Sequence, residues 1–395
     1  SFYPGMQFMV DTGKILAEKF FDARGTYIHL VGYPFTLEDD PYPTGSICRM
    51  TYMSGWVAGE YWRRYRYTLD DQWLTDVGYP VIRDCALFYL DTLEKWSDGK
   101  WHAFPSTQGE SFFTGDPKDY LDKPQVIGHT RYCLKAAVEA SEILGVDEGL
   151  RAEWQEIVDN LASEAGVDYE ALGYDEKDIA RVQKSFPEFL SGGGHLPKLE
   201  KEAGRMPVEG DPVDVLQVGE GAWRGGATGF PRALMRHLRT RTFVADRDWP
   251  NFRRSLKHLQ VPGGFHRGIN AGQMGRIGAY CEAFGVIAPM QEMMMQSWEG
   301  HIELWPAWPN KVGCRFGTLR AEDAFLVTST ITDHHEITEL TIFSEKGARC
   351  RVLNPWDGAM VVVDSASKPV ATTDEGDGVF GFDTVVGETY FFTQA

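Results

Sequence analysis

Cysteine is scarce in this chain. Its 395 residues hold six, at positions 48, 85, 133, 281, 314 and 350, and none forms a C-x-x-C pair. The gaps match no zinc site, so Cys48, Cys85, Cys133, Cys281, Cys314 and Cys350 are expected to be buried free thiols. Positive charge is short as well. Lys and Arg number 39 against 57 Asp and Glu, leaving a net charge of −18. Such a surface repels a phosphate backbone, which argues against nucleic acid as a partner. No basic cluster suggests attachment to a membrane, and no apolar run approaches the roughly 20 residues that span one. G-x-S-x-G and H-E-x-x-H are both missing, which disfavours nucleophile-elbow serine hydrolases and zinc proteases. No convincing metal cage is present, and no cofactor is expected. The chain starts at Ser1 without a signal peptide. Either a leader has been removed, which would fit a secreted or periplasmic protein, or the chain continues a longer one.

Aromatic side chains are plentiful: 12 Trp, 16 Tyr and 23 Phe, or 13% of the chain. Rings bury large areas, so most of them are expected in a core. Flat rings also stack on the C–H faces of sugars, which makes a carbohydrate site the second use for them. The apolar share of 43% and charged share of 24% are those of a packed globular protein. The length allows two domains, or one large domain with an appendage.

Apolar spacing predicts helices over 8–21, 51–67, 71–96 (broken near Pro80), 126–144 and 147–162, and later over 231–239, 249–259 and 277–297. Cys133, Ala136, Ala140 and Leu144 form one stripe of the 126–144 helix. Long Gly- and Pro-rich loops join these helices at 32–47, 101–125, 186–229 and 261–275. Loops of that length are usually functional, and several between paired helices suggest one rim of a helical barrel around a pocket. From Gly313 onward the pattern changes to short β-rich runs: "AFLVTSTITD", "ITELTIFSE", "CRVLNPW", "AMVVVD" and "TYFFTQ". The expected fold class is mainly α: a helical domain over 1–300 followed by a small all-β domain over 301–395. His334 and His335 fall between two strand runs and are read as a hairpin tip.

Glu110 sits in "WHAFPSTQGESFF", a loop sequence with an acid beside Phe112 and Phe113. Partial burial against rings raises a carboxyl pKa, which suits a proton donor near neutral pH. A solvated loop acid is the plainer reading. Glu282 lies in "GAYCEAFG" at the start of a helix, where a carboxylate either serves chemistry or simply favours the helix terminus. The Gly-rich "GEGAWRGGATGF" matches neither a Walker A loop nor a dinucleotide fingerprint; its Trp223 and Arg224 can contact a sugar or decorate a flexible rim. His266 in "GGFHRGIN" and His195 in "SGGGHLP" can donate to a hydroxyl or merely sit in a turn.

Four stretches together resemble glycoside hydrolase family 95, the inverting α-L-fucosidases and α-L-galactosidases. They are "AEKFFDARGTYIHLVGYPF", "TYMSGWVAGEYWRRYRYTLDDQWLTDVGYPVIRDCALFYLDTL", "PSTQGESFF" and "EMMMQSWEGHIELWPAWPNKVGCRFGTLRAEDAFLV". The resemblance covers about half the chain. It implies an (α/α)6 barrel, incomplete at its N-terminus, followed by a β-sandwich, and an oligosaccharide or polysaccharide substrate. It places the general acid at Glu110, with Glu282 as the candidate base and His29, Phe35, Trp56, Arg224 and His266 lining the pocket. The departures are specific. The family's two water-assisting asparagines lie upstream of its alanine-arginine-glycine turn, and here that turn, 23–25, comes too early in the chain to include them. Eight or nine helices are readable where a complete barrel has twelve. Cys281 falls on the family's Asp, Ala283 replaces its Asn, and Phe35 stands where the loop has Trp. Residues 165–275 match poorly. Another (α/α)6 carbohydrate enzyme (a glucosidase, phosphorylase or lyase) and a non-catalytic glycan-binding homologue therefore stay open as alternatives.

Overall fold

The protein is described by a computed structural model over residues 2–28, 51–104, 106, 121–162, 287–306, 308 and 311–395. Contacts divide the chain into two compact units, Ser1–Trp62 with Asp71–Met235, and Arg63–Asp70 with Arg236–Ala395. Among the described residues, helices dominate the first part of the chain and strands the last, as the sequence pattern predicts, with one short hairpin among the helices. The expected helices at 231–239 and 249–259 lie outside the described residues.

In the first unit, α1 (Phe2–Phe21) begins at Phe2 rather than Phe8. It is followed by α2 (Tyr52–Thr68), then α3 (Asp71–Trp73), which passes through a π-helical turn, Leu74–Gly78, into α4 (Tyr79–Thr92). The expected break near Pro80 is this turn. Pro80 itself lies in the first turn of α4, where its missing N–H is no loss. The helix stops at Thr92 rather than 96 because Leu93 is extended and leads into a short hairpin, β1 (Glu94–Lys95) and β2 (Trp101–His102). Then come α5 (Pro124–Leu144) and α6 (Glu148–Asn160). Gly145, left-handed at φ 66°, ends α5. Its N–H reaches the Glu142 carbonyl, and Val146 reaches that of Ser141.

The core of this unit is dense in α4, where Val81, Ile82, Cys85, Ala86, Phe88 and Tyr89 are all buried. Cys133, Ala136 and Ala140 of the predicted α5 stripe are buried too, whereas Leu144 is only partly covered. Trp154, Ile157 and Val158 anchor α6. The reading of buried free thiols holds for Cys85, Cys133 and Cys350; Cys314 is free but only partly buried. Cys48 and Cys281 lie outside the described residues.

The Ala23–Arg24–Gly25 turn has a clear physical basis. The Asp91 carboxylate accepts bonds from the Arg24 backbone N–H at 2.8 Å and from its guanidinium at 2.9 and 2.6 Å. Gly25 has φ 75°, and a β-carbon there would sit 2.0 Å from the Asp84 carbonyl oxygen. No side chain fits that position. Gly13 of α1 serves the next residues in the same way: a β-carbon there would meet the Tyr27 carbonyl oxygen at 2.7 Å. Thr26 and Tyr27 consequently lie along α1, with Tyr27 N–H donating to Gly13 and Thr26 Oγ1 to Val10.

The second unit is rich in sheet. The described end of the expected 277–297 helix is α7 (Ile287–Met294); residues 295–296 have already turned into a strand. A small ladder, β3 (Met295–Gln296) with β4 (Glu303–Leu304), precedes two antiparallel sheets. The larger has the order β5 (Cys314–Ala321), β6 (Phe325–Ile331), β7 (Ile337–Ser344), β12 (Thr389–Gln394), β9 (Met360–Val363). The smaller has the order β10 (Thr373–Gly376), β11 (Val379–Asp383), β8 (Arg349–Leu353). The five quoted β-rich runs all form strands, and His335, at φ 65°, marks the predicted tip between β6 and β7.

Alternation explains the core. Phe325, Val327, Ser329 and Ile331 of β6 face inward, as do Leu340 and Ile342 of β7. They share one apolar cluster with Cys350 and Val352 of β8 and Phe382 of β11, so both sheets contribute to a single core. The Trp305 ring lies in it, donating from Nε1 to buried Ser329 Oγ at 3.0 Å. Ile302 bonds to the backbone of β8 on both sides, which fixes the crossover segment to the smaller sheet. On that sheet's outer side, the Glu375 carboxylate reaches over Gly381 to bind both Arg349 and Arg351 at 2.8 Å. Arg66, whose segment belongs to this unit, pairs at 2.9 Å with Glu322, which is only 9% exposed.

Candidate active site

Of the sequence-predicted site residues, Trp56 is described. His29, Phe35, Glu110, Arg224, His266 and Glu282 lie outside the described residues, as does His195. What the structure does describe is the framework on either side of two of the segments that carry them.

The first framework is the N-terminal end of α2. Ile28 N–H donates to Ser54 Oγ at 2.9 Å. The Tyr89 hydroxyl accepts from Gly55 N–H at 2.9 Å and donates to the Thr51 carbonyl at 2.6 Å. Ile28 and Thr51, which flank the segment containing His29 and Phe35, are thus both fixed to the first turn of one helix. A β-carbon on Gly55 would lie 2.5 Å from the His129 carbonyl oxygen, so α2 and α5 touch backbone to side chain-free backbone here.

His129 sits in the second turn of α5, immediately beside that contact. Its ring stacks on Tyr52 (centroids 5.8 Å apart, 27° between planes) and on Trp56 (6.2 Å, 16°). It is buried, and burial pushes its pKa down to about 3. At neutral pH it is therefore an uncharged imidazole, and Nδ1 has no hydrogen-bond partner among the described residues. Trp56 is half-buried, with one ring face against His129. The product is a stack of three rings in which Tyr52 and His129 are buried and Trp56 alone keeps a partly exposed side chain.

The second framework brackets the segment that carries Glu110. Asp122 N–H donates to the Ala103 carbonyl at 3.0 Å, and the Asp122 carboxylate accepts from Ala103 N–H at 2.7 Å and contacts His102 Nδ1 at 2.5 Å. Ser106 Oγ accepts from Lys123 N–H at 2.9 Å. His102 Nε2 faces the Asp98 carboxylate at 3.2 Å, and its ring lies against Trp96. Burial would lower the His102 pKa, but Asp122 and Asp98 outweigh it and hold it above the ordinary histidine value. Asp98 is held below the ordinary carboxylate range: its desolvation is overcome by bonds from Lys100 N–H and from His102.

Sequence reasoning singled out neither histidine. His129 had a signal: it lies one helical turn before Cys133, on the buried stripe of α5. His102 had none, because its partner Asp122 is 20 residues away and only the fold joins them.

A further cleft, of about 490 Å³, runs along the alanine-arginine-glycine turn and is lined by Lys14, Glu18, Asp22, Arg24 and Asp84. Lys14 and Asp84 pair across it at 2.8 Å. Among the described residues no group of His, Cys, Asp and Glu is arranged to hold a metal ion, and no helix is long and apolar enough to cross a membrane.

Residues 2–170 match the glycosyl hydrolase family 95 catalytic domain. The likeness to family 95 read from the motifs is thereby borne out for this part of the chain. A plant relative, "Alpha-L-fucosidase 2" of Arabidopsis thaliana, is 29% identical over 149 residues, which take in 35% of this chain and 17% of the relative. "Kojibiose hydrolase" of Mucilaginibacter mallensis is 22% identical over 194 residues, 46% of this chain and 28% of the relative. The matches thus span less than a third of either curated relative. Among solved structures, a "Putative kojibiose phosphorylase from human microbiome" superposes with a TM-score of 0.51 at 8% identity, over 98% of this chain and 56% of that one. That similarity concerns the fold.

Proposed function

We propose that the protein is an inverting glycoside hydrolase that removes a terminal sugar, α-L-fucose or α-L-galactose-like, from an oligosaccharide or polysaccharide. In this reading residues 1–300 form the helical part of an (α/α)6 toroid and residues 301–395 a β-sandwich. Glu110 protonates the leaving oxygen, and Glu282 activates water on the opposite face of the sugar ring. His29, Phe35, Trp56, Arg224 and His266 line the pocket, with Trp56 as a platform for the sugar. No cofactor takes part.

The observation that carries this reading is the convergence at the N-terminal ends of α2 and α5. Ile28 and Thr51 flank the segment containing His29 and Phe35, and both are tied to the α2 end that Gly55 presses onto His129. Trp56 stands at the same place, stacked on His129. The family 95 match across this whole stretch supports it.

Release of fucose or galactose from aryl glycosides tests the assignment, with protein expressed from its complete gene. Glu110→Gln should lose most activity toward substrates with poor leaving groups, and the released sugar should have inverted anomeric configuration by NMR. Equal rates for the native protein and Glu110→Gln reject the catalytic role. Inversion further requires the two carboxyl groups to be about 6.5–9.5 Å apart.

One specific observation favours a second reading. The curated relative with the longer match is a kojibiose hydrolase. That likeness supports a disaccharide-cleaving enzyme of the glucosidase kind as the alternative, and kojibiose belongs in the same assay.

A further inference from the structure

We infer that His102 and Asp122 form a proton-dependent clasp that joins residues 102–103 to residues 122–123, the described residues on either side of the segment that carries Glu110, and that His102 is a positioning residue for these two ends. Its role in catalysis rests on the assignment of Glu110, which that segment carries, as the acid.

The geometry is that of a clasp. Ala103 precedes the segment that carries Glu110 and Asp122 follows it. These two residues exchange two backbone contacts, one of them through the Asp122 side chain. The second carboxylate oxygen of Asp122 is spent on His102, whose side chain is 2% exposed; that of Asp122 is fully buried. Ser106 and Lys123 add a second bond one step further in. Asp122 takes φ 45°, a left-handed value that Asp tolerates better than most residues, and this directs both oxygens back toward strand β2. A buried carboxylate with a charged histidine on one oxygen and a backbone N–H on the other is a strong anchor, because each bond is charge-assisted.

The same anchor responds to pH. Among the described residues, the groups acting on His102 are Asp122 and, on the β1–β2 turn, Asp98, which is itself faced by Lys100. On the neighbouring helices, Glu156 is taken by Lys95 and Trp101, and Arg131 by the carbonyls of Val158 and Ala162. Because the folded state favours protonated His102, the clasp is complete below the ordinary histidine value of about 6.5. It weakens as pH rises through the higher folded value, since the deprotonated ring no longer donates to both carboxylates. The joint between Ala103 and Asp122 is therefore tightest in acid and loosens as pH rises past the folded-state value of His102.

Hydrogen exchange read by mass spectrometry, on protein from the complete gene, decides the matter. In His102→Gln, peptides covering 103–106 and 121–123 should exchange about tenfold faster or more, with α4 and α5 unchanged. In the native protein the same peptides should accelerate beyond the intrinsic chemistry as pH rises past the raised folded-state value of His102. Asp98→Asn, a milder change at a partly exposed partner, should move that acceleration to lower pH. With an aryl α-L-fucoside, His102→Gln should lower kcat with little change in KM. Unchanged exchange at 103–106 and 121–123, or a uniform acceleration through α4 and α5, overturns the clasp. If the native protein cleaves no aryl glycoside, or Glu110→Gln cleaves as well as native, the hydrolase assignment falls, and the exchange experiment still decides the clasp by itself.

Discussion

Gly55 and His129 meet so closely that a β-carbon on Gly55 would lie 2.5 Å from the His129 carbonyl oxygen and 2.9 Å from the His129 β-carbon. Helix α2 is pressed onto α5 at the point where the aromatic stack begins. Gly55→Ala should force the helices apart and lower stability by about 1–3 kcal/mol, the usual cost of overpacking. Chemical denaturation measures it. The Trp56–His129 stack should loosen too, detectable as a change in Trp fluorescence.

His129 should make the protein acid-sensitive. Its folded-state pKa of about 3 lies below the unfolded value, so the unfolded chain binds the extra proton. Stability is then undisturbed above about pH 6.5 and falls as the pH drops, by about 1.4 kcal/mol per unit toward pH 3 from this group alone. His129→Phe keeps a ring for Tyr52 and Trp56 to stack on and has nothing to titrate. Urea midpoints measured between pH 7 and 4 should fall less steeply for that variant than for the native protein.

The alanine-arginine-glycine turn should be intolerant at both Arg24 and Gly25. Gly25→Ala combines a left-handed backbone, about 1–2 kcal/mol, with a direct clash against Asp84, and should cost about 3 kcal/mol or more. Arg24→Lys keeps the charge but loses the fork on Asp91, and should cost on the order of 1 kcal/mol at this partly exposed site. Thermal melts of the two variants should rank in that order.

Arg66→Ala should destabilise the sheet-rich unit by leaving the Glu322 carboxylate, 9% exposed, without its guanidinium. Removing one partner of a fully buried pair costs about 3–5 kcal/mol; since Arg66 is a third exposed, about 1–3 is the better expectation. Combining it with Glu322→Gln should recover part of the loss. No recovery in the double variant would mean that Arg66 contributes through its packing.

Much of the fold was legible because burial imposes periodicity. The strands β6, β7 and β12 alternate residue by residue, and α5 carries its Cys133–Ala136–Ala140 stripe openly. What escaped notice lacks that imprint. Strand β10, "TDEG", is exposed throughout and is held by pairing to β11 and by Glu375 with two arginines. The π turn at 74–78 has no residue signature beyond a Gly that admits the Trp73 ring. The candidate site was legible as motifs, and only Trp56 among its predicted residues is described. His102 and Asp122 could not be paired from sequence, since 20 residues separate them and neither follows a helical or strand period with the other.

Strand β12, residues 389–394, lies between β7 and β9 and pairs with both. Strand β9 has no other partner in the larger sheet, so it can join that sheet only once β12 is in place. Until then the sheet ends at β7, whose outer edge is open to any other strand.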